Sequence, residues 1–303
     1  MRLVTRSDFD GLACAVLLNY LGLIDQYQFA HPKDIQDGLI EANENDILAN
    51  VPYVKGCGMW FDHHSSENER VGTIEVKGSS RLSPSAARVI WDYYGGRSKF
   101  PAALDAMLEG VDKMDSGRLT AEEIKNPGGW VLLGFVMDPR TGLGRYRDYR
   151  ISNYQLMLDM IGYCSSKSAE EILDLPDVKE RTVRYFTQQK EFEAMLKRCS
   201  SVHGNVLYVD LRNEEEIFSG NRFTAYALYP ECNVSIQVIW GLKKQNVVAT
   251  VGHSILNRTC SVDVGSLMLK YGGGGHLRVG TCQLPTEKAD ESIQEILSAM
   301  QGR

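Results

Sequence analysis

Short apolar runs broken by polar turns fill the first sixty positions of the chain. Leu3-Val4-Thr5 reads as a strand, Ser7 to Asp10 as a turn, and Leu12 to Leu23 as an apolar helix opened by Gly11. Tyr27 to His31 and Asp46 to Val51 read as two more strands, and Met59-Trp60-Phe61 as another that stops abruptly at Asp62-His63-His64. Continuous apolar runs are the mark of strands buried on both faces in a parallel sheet, and such sheets carry their chemistry at the carboxyl ends of the strands. Asp8, Asp10, Asp62, His63 and His64 all fall there.

Further along, Ser83 to Trp91 reads as a helix with Pro84 in its first turn and Ser83 as N-cap. Its free amides suit a substrate phosphate, although a plain capped core helix explains the same residues. Ala102 to Val111 forms an amphipathic helix leading into Asp112-Lys113-Met114-Asp115-Ser116-Gly117. Pro127-Gly128-Gly129-Trp130 and the stretch Asp138 to Arg145 punctuate a helical middle, and Ile151 to Tyr163 and Ala169 to Leu196 continue it. From Asn205 the pattern changes to short strands at Val206 to Val209, Val234 to Ile239 and Val247 to Val251, with helices at Arg222 to Leu228 and Val264 to Leu269. The expectation is an α/β chain. A first domain over 1–180 has a mainly parallel sheet flanked by helices, a helical linker spans 181–203, and a smaller α/β domain occupies 204–303.

The 303 residues suffice for two cores, and 24% charged with 43% apolar residues is ordinary for a globular protein. No apolar run approaches the roughly 18 residues of a membrane helix, and Met1-Arg2-Leu3 enters a strand directly, so a cytoplasmic protein with no membrane partner is expected. Cys14, Cys57, Cys164, Cys199, Cys232, Cys260 and Cys282 are scattered singly, which suggests reduced core thiols. The net charge of −6 disfavours duplex DNA, whose binding depends on neutralising many phosphates. Short anionic substrates stay compatible with a locally cationic site.

Asp8 and Asp10, two apart on one turn, suit separate oxygen-ligand positions on Mn or Mg, while Asp10 could equally cap the helix that follows. Arg140, Arg145, Arg147 and Arg150 lie beside Tyr146 and Tyr149, a combination suited to phosphate pairing and base stacking, or to a solvated face. Tyr271 is followed by Gly272-Gly273-Gly274-Gly275-His276, a run that allows close backbone approach to phosphate oxygens or serves as a flexible turn.

Together Ser7-Asp8-Phe9-Asp10-Gly11, Asp62-His63-His64, Met114-Asp115-Ser116-Gly117 and the Gly-rich run with His276 resemble the DHH phosphoesterases with a C-terminal DHHA1 domain. The match covers nearly the whole chain and is most similar to the exopolyphosphatase-related branch and its nano-RNA and cyclic-dinucleotide phosphodiesterases. The resemblance implies one Mn on Asp10, His63 and Asp115, and a second held or approached by Asp8 and Asn50. It implies Asp62 orienting the histidines, with His64 beside the reacting phosphate. Arg258, His276 and Gly273 to Gly275 would bind substrate from the second domain across a cleft, and Arg145 is a further candidate. Asp115 fits the pattern better than Asp112, which reads as solvated surface.

Two departures stand out. The family usually has a metal-bridging Asp where this chain has Asn50, and many members have a His where it has Val4. Asp46 cannot stand in for Asn50, because four residues along a strand span ~13 Å. Arg6 either supplies a fixed cation beside the vacated position or simply pairs with Asp8.

The implied activity is a metal-dependent phosphoesterase, with one or two Mn or Mg ions, hydrolysing short nucleotides such as nano-RNA, cyclic dinucleotides or a bisphosphonucleoside. The same chemistry on polyphosphate or pyrophosphate is one alternative, and a weakened nucleotide-binding protein is another. A homodimer through the first domain is expected by family analogy alone.

Overall fold

Leu3, Val4, Ile47, Leu48, Trp60 and Phe61 are almost completely inaccessible to solvent, and strands that bury both faces in this way assemble in parallel. In the computed structural model, which describes residues 1–64, 67, 70–72 and 74–302, strands β1 (Arg2–Thr5), β2 (Gln26–Phe29), β3 (Asp46–Ala49), β4 (Met59–Asp62) and β5 (Lys77–Ser80) form one sheet. Its order is β2-β1-β3-β4-β5, with every pair parallel. Val4, Leu48 and Trp60 lie in register and share a core with Ile35, Val51 and Cys57. Leu3, Ile47 and Phe61, one position away in the same strands, face the opposite side. The chain leaves β1 toward β2 and then crosses to β3 on the other side. The carboxyl ends of β1 and β3 therefore flank the crevice where open sheets bind ligands.

The helices are α1 (Phe9–Tyr20), α2 (Pro32–Gln36), α3 (Ala86–Tyr93), α4 (Asp105–Asp115), α5 (Ala121–Lys125), α6 (Gly129–Met137), α7 (Asn153–Ser166), α8 (Ala169–Leu173) and α9 (Pro176–Cys199). Helix α1 starts earlier than the apolar pattern predicts because Asp8, not Asp10, is its N-cap, accepting from the Gly11 amide at 3.0 Å. Every residue from Phe9 to Leu18 is buried, since α1 packs against α3, α4 and α7. Gly11 serves the tight turn from β1 into α1, as a Cβ there would overlap the Arg6 carbonyl.

Asp112 is not surface. It is buried, takes the Ser85 hydroxyl at 2.7 Å and the Arg88 Nε at 2.8 Å, and so ties α4 to the start of α3. The sequence pattern failed here because both partners lie more than twenty residues away.

Two compact units divide the chain, Met1–Arg118 with Pro127–Tyr185, and Leu119–Asn126 with Phe186–Arg303. The division at 185 and 186 falls inside α9, within the segment expected as linker. Residues 119–126 join the second unit, where the Ile124 carbonyl accepts from Asn221 and the Lys125 carbonyl from Gln189. The second unit adds β6 (Ser200–His203), β7 (Val206–Asp210), α10 (Thr224–Leu228), β8 (Val234–Trp240), β9 (Val247–His253), α11 (Val264–Leu269), β10 (Gly274–His276), β11 (Val279–Leu284) and α12 (Ala289–Met300). The sheet order is β10-β11-β9-β8-β7-β6, antiparallel except between β7 and β8. One face packs on α11 and α12, through Val264, Met268, Ile293 and Ile296, and the other on Phe192, Met195 and Leu196 of α9.

Among the described residues no helix is long and apolar enough to cross a membrane. Replacing Asp112 leaves the Arg88 guanidinium and Ser85 hydroxyl without their buried acceptor. Asp112→Ala is therefore expected to lower the unfolding free energy by ~2 to 4 kcal/mol in urea titration; a loss below ~0.5 kcal/mol would return the residue to the surface.

Candidate metal centre

Three donors from three separate segments converge beside the sheet edge. Asp10 comes from the first turn of α1, His63 from the residue after β4, and Asp115 from the last turn of α4. One ligand atom of each lies within 4.8 Å of the others. His63 Nε2 is 3.1 Å from Asp115 Oδ2 and 3.7 Å from Asp10 Oδ2.

Each donor is fixed by its own partners. The two oxygens of Asp10 accept the Ala86 and Ala87 amides at 2.8 Å each. These are the free amides at the start of α3, for which the sequence left open a substrate phosphate or a plain capped core helix. They hold a protein carboxylate instead, and the N-cap is Ser85 rather than Ser83. Ser83 has a different use: its carbonyl accepts from His63 Nδ1 at 3.2 Å. That bond keeps a proton on Nδ1, so Nε2 is the ring nitrogen that faces the carboxylates and would give up its proton to a metal, the usual arrangement of a metal-binding imidazole. Nε2 is buried, with Asp115 as its near neighbour and Asp10 beyond, and it makes no well-directed hydrogen bond to either. A buried nitrogen between two carboxylates fits a divalent cation.

The electrostatics agree. Burial, reinforced by the charges of Asp115 and Asp8, pushes the Asp10 carboxyl well above the ordinary carboxylate range. His63 is raised despite its burial because Asp115, Asp10 and Asp62 surround it with negative charge. Asp115, nearest to His63 and exposed on its outer side, is drawn down by that imidazole and by the charges of His64 and Arg140. Three carboxylates around one imidazole make an excess of negative charge, and a divalent ion relieves it.

Asp62 is fully buried and accepts from His64 Nδ1 at 2.8 Å. It therefore orients His64 alone, whereas His63 is oriented by the Ser83 carbonyl; a backbone acceptor leaves no mark in a sequence. The two imidazoles lie 4.2 Å apart between ring centroids.

Asp8 and Asn50 sit together at the ends of β1 and β3, but as partners. Asn50 Nδ2 donates to Asp8 Oδ1 at 3.1 Å, and Arg6 Nε lies 3.0 Å from Asp8 Oδ2. Asp46 is at the far end of β3, where it takes Arg2 Nε at 2.8 Å.

Of the arginine cluster, Arg140 pairs with Asp138 at 2.7 Å, and its charge helps to hold Asp115 down. The tyrosines do not form an open stacking platform. Arg184 covers Tyr146 at 4.1 Å and Arg181 covers Tyr149 at 4.0 Å, so α9 occupies a face of each ring. Arg145 is exposed and folds over Gly142 of its own turn.

In the second unit, Gly274 to His276 form an edge strand paired with β11 rather than a flexible loop. Side chains at Gly273 and Gly275 would collide with the carbonyls of Thr281 and Val279, so those glycines serve strand packing. Arg258 Nε donates to the Ile255 carbonyl at 3.0 Å, and His276 is exposed.

No protein-family model matches the chain, and no curated protein sequence does. Among solved structures, a pGpG-specific phosphodiesterase, PggH from Vibrio cholerae, is 49% identical, with a TM-score of 0.83 over 99% of this chain and 98% of that one. The chain belongs to the DHH phosphoesterase family. Two more distant DHH folds support the architecture. An exopolyphosphatase-related protein from Bacteroides fragilis is 12% identical, with a TM-score of 0.53 over 98% of this chain and 91% of that one. RecJ from Thermus thermophilus, in complex with Mn2+, is 15% identical, with a TM-score of 0.57 over 99% of this chain and 52% of that one. Like other DHH proteins, this one is a metal-dependent phosphoesterase.

His63→Ala removes the nitrogen ligand and is expected to abolish Mn(II) binding in calorimetric titration. Cys57→Ala, in the core on the other side of β4, leaves binding unchanged. The ion must displace protons that the raised His63 and Asp10 hold, so Mn(II) affinity rises from pH 6 to pH 8. Equal affinity at the two pH values would contradict this charge assignment.

Proposed function

We propose that this protein hydrolyses the linear dinucleotide pGpG to two molecules of GMP. The observation that carries the proposal is 49% identity, over almost the full length of both chains, to a phosphodiesterase described as pGpG-specific. The metal centre supports it, because the chemistry needs a cation at the scissile phosphate.

Asp10, His63 Nε2 and Asp115 would hold a divalent ion, and Mn is the preferred choice for this donor set. When bound, the ion polarises a phosphate oxygen and lowers the pKa of water. The amides of Ala86 and Ala87 keep Asp10 in place, and the Ser83 carbonyl keeps Nε2 of His63 directed at the ion. Asp62 locks the His64 ring through Nδ1, so that His64 stands ready to stabilise charge on the phosphate as the P–O3′ bond breaks. Water adds its oxygen to phosphorus, and the departing 3′-oxygen takes up a proton. Arg258, His276 and Gly273 to Gly275 are assigned to substrate binding within the same proposal, with Arg145 a lesser candidate because its side chain is folded over Gly142.

The test is Mn-dependent hydrolysis of pGpG, pApA, cyclic di-AMP and polyphosphate by one purified preparation. The expected result is rapid conversion of pGpG to GMP, much slower pApA cleavage, and no release of phosphate from polyphosphate. Polyphosphate hydrolysis without dinucleotide cleavage would replace this reading, and tight pGpG binding without turnover would make the protein a nucleotide receptor.

A further inference from the structure

Asp8 and Asp10 occupy one turn, and both accept from backbone amides, yet their remaining neighbours differ in kind. Asp10 faces a buried nitrogen that lacks a hydrogen bond, together with a second carboxylate. Asp8 faces donors only. Its Oδ1 accepts from the Gly11 amide at 3.0 Å and from Asn50 Nδ2 at 3.1 Å, and its Oδ2 pairs with Arg6 Nε at 3.0 Å.

These donors are built in. Asn50 is 3% exposed and adopts φ of 56°, a left-handed conformation that Asn tolerates better than other non-glycine residues. Its backbone amide donates to the Phe61 carbonyl at 3.0 Å, which holds the residue there. An NH2 group turned toward a carboxylate leaves no vacancy for a cation between the two. The neighbouring strand position, Val4, is apolar and buried in the core. Asp8 therefore has its charge balanced within the protein.

Arg6 itself remains about a third exposed, with its side chain at 31%. Its Nε faces Asp8, and the rest of the guanidinium is partly open to solvent. A guanidinium held at one edge by a carboxylate presents its remaining donors in a fixed plane, the geometry that pairs with phosphate oxygens.

We propose that the centre takes a single divalent ion, on Asp10, His63 and Asp115, and that Arg6, fixed by Asp8, is a second cationic contact that binds a non-bridging phosphate oxygen of the substrate. The inference rests on the phosphoesterase reading above and adds how charge is divided between one ion and one side chain.

The test uses the full chain, with Mn(II) stoichiometry from equilibrium dialysis and the electron paramagnetic resonance spectrum, alongside steady-state kinetics on pGpG. Wild type is expected to bind one ion per chain with the spectrum of an isolated Mn(II). Arg6→Gln keeps that stoichiometry and raises KM about ten- to a hundredfold, with Arg6→Lys intermediate. Arg6→Gln combined with Asn50→Asp places two carboxylates together without a cation, and is expected to bind a second ion. Two exchange-coupled ions in wild type, an unchanged KM in both Arg6 variants, or a double variant that still binds one ion would each overturn the proposal. Failure of wild type to bind any Mn(II) would instead remove the metal centre on which both readings stand. One bound ion without pGpG cleavage, but with pGpG affinity that depends on Arg6, would overturn only the hydrolytic reading.

Discussion

The centre depends on the seating of one carboxylate. Asp10 is almost wholly buried, and it is held there by two backbone amides from the first turn of α3. Those amides are donors that every helix start must satisfy. Using them on a carboxylate from α1 joins the first and third helices, and also compensates the desolvation of a charged ligand. Asp112 secures the same helix start from the α4 side through Ser85 and Arg88. Because Asp115 is one turn further along α4, one network of hydrogen bonds fixes two of the three ligand positions.

Beyond this scaffold, the site separates two neighbouring carboxylates by the partners each receives. Donors from Arg6, Gly11 and Asn50 satisfy Asp8, whereas Asp10 and Asp115 share an imidazole nitrogen with no hydrogen bond. Burial, with the neighbouring carboxylates, raises Asp10, and the surrounding carboxylates raise His63 against its burial. Orientation is likewise divided, with a backbone carbonyl behind His63 and a buried carboxylate behind His64.

Much of this was legible in the sequence where the signal is local. The apolar runs ending at Thr5, Ala49 and Asp62 marked the parallel strands, and the doublet His63-His64 marked their chemical edge. Placing Asp10, His63 and Asp115 together required the family resemblance, since they are spread over more than a hundred positions. What stayed hidden was long-range pairing. The amides of Ala86 and Ala87 carry no side-chain signature, Asp112 looks like any helical acid, and Tyr146 and Tyr149 give no hint that Arg184 and Arg181 cover them. The flexible-turn reading of the Gly-rich run fails for a different reason: glycines that permit flexibility also permit tight strand packing, and here the sheet uses the second property.

The most direct test of the centre is anomalous diffraction from crystals of the protein grown with Mn(II). The account predicts one strong peak per chain in the first unit, bounded by Asp10, His63 Nε2 and Asp115, with Asp8 still paired to Arg6 and Asn50. A peak coordinated by Asp8 and Asn50, or no peak among the three ligands, would contradict it.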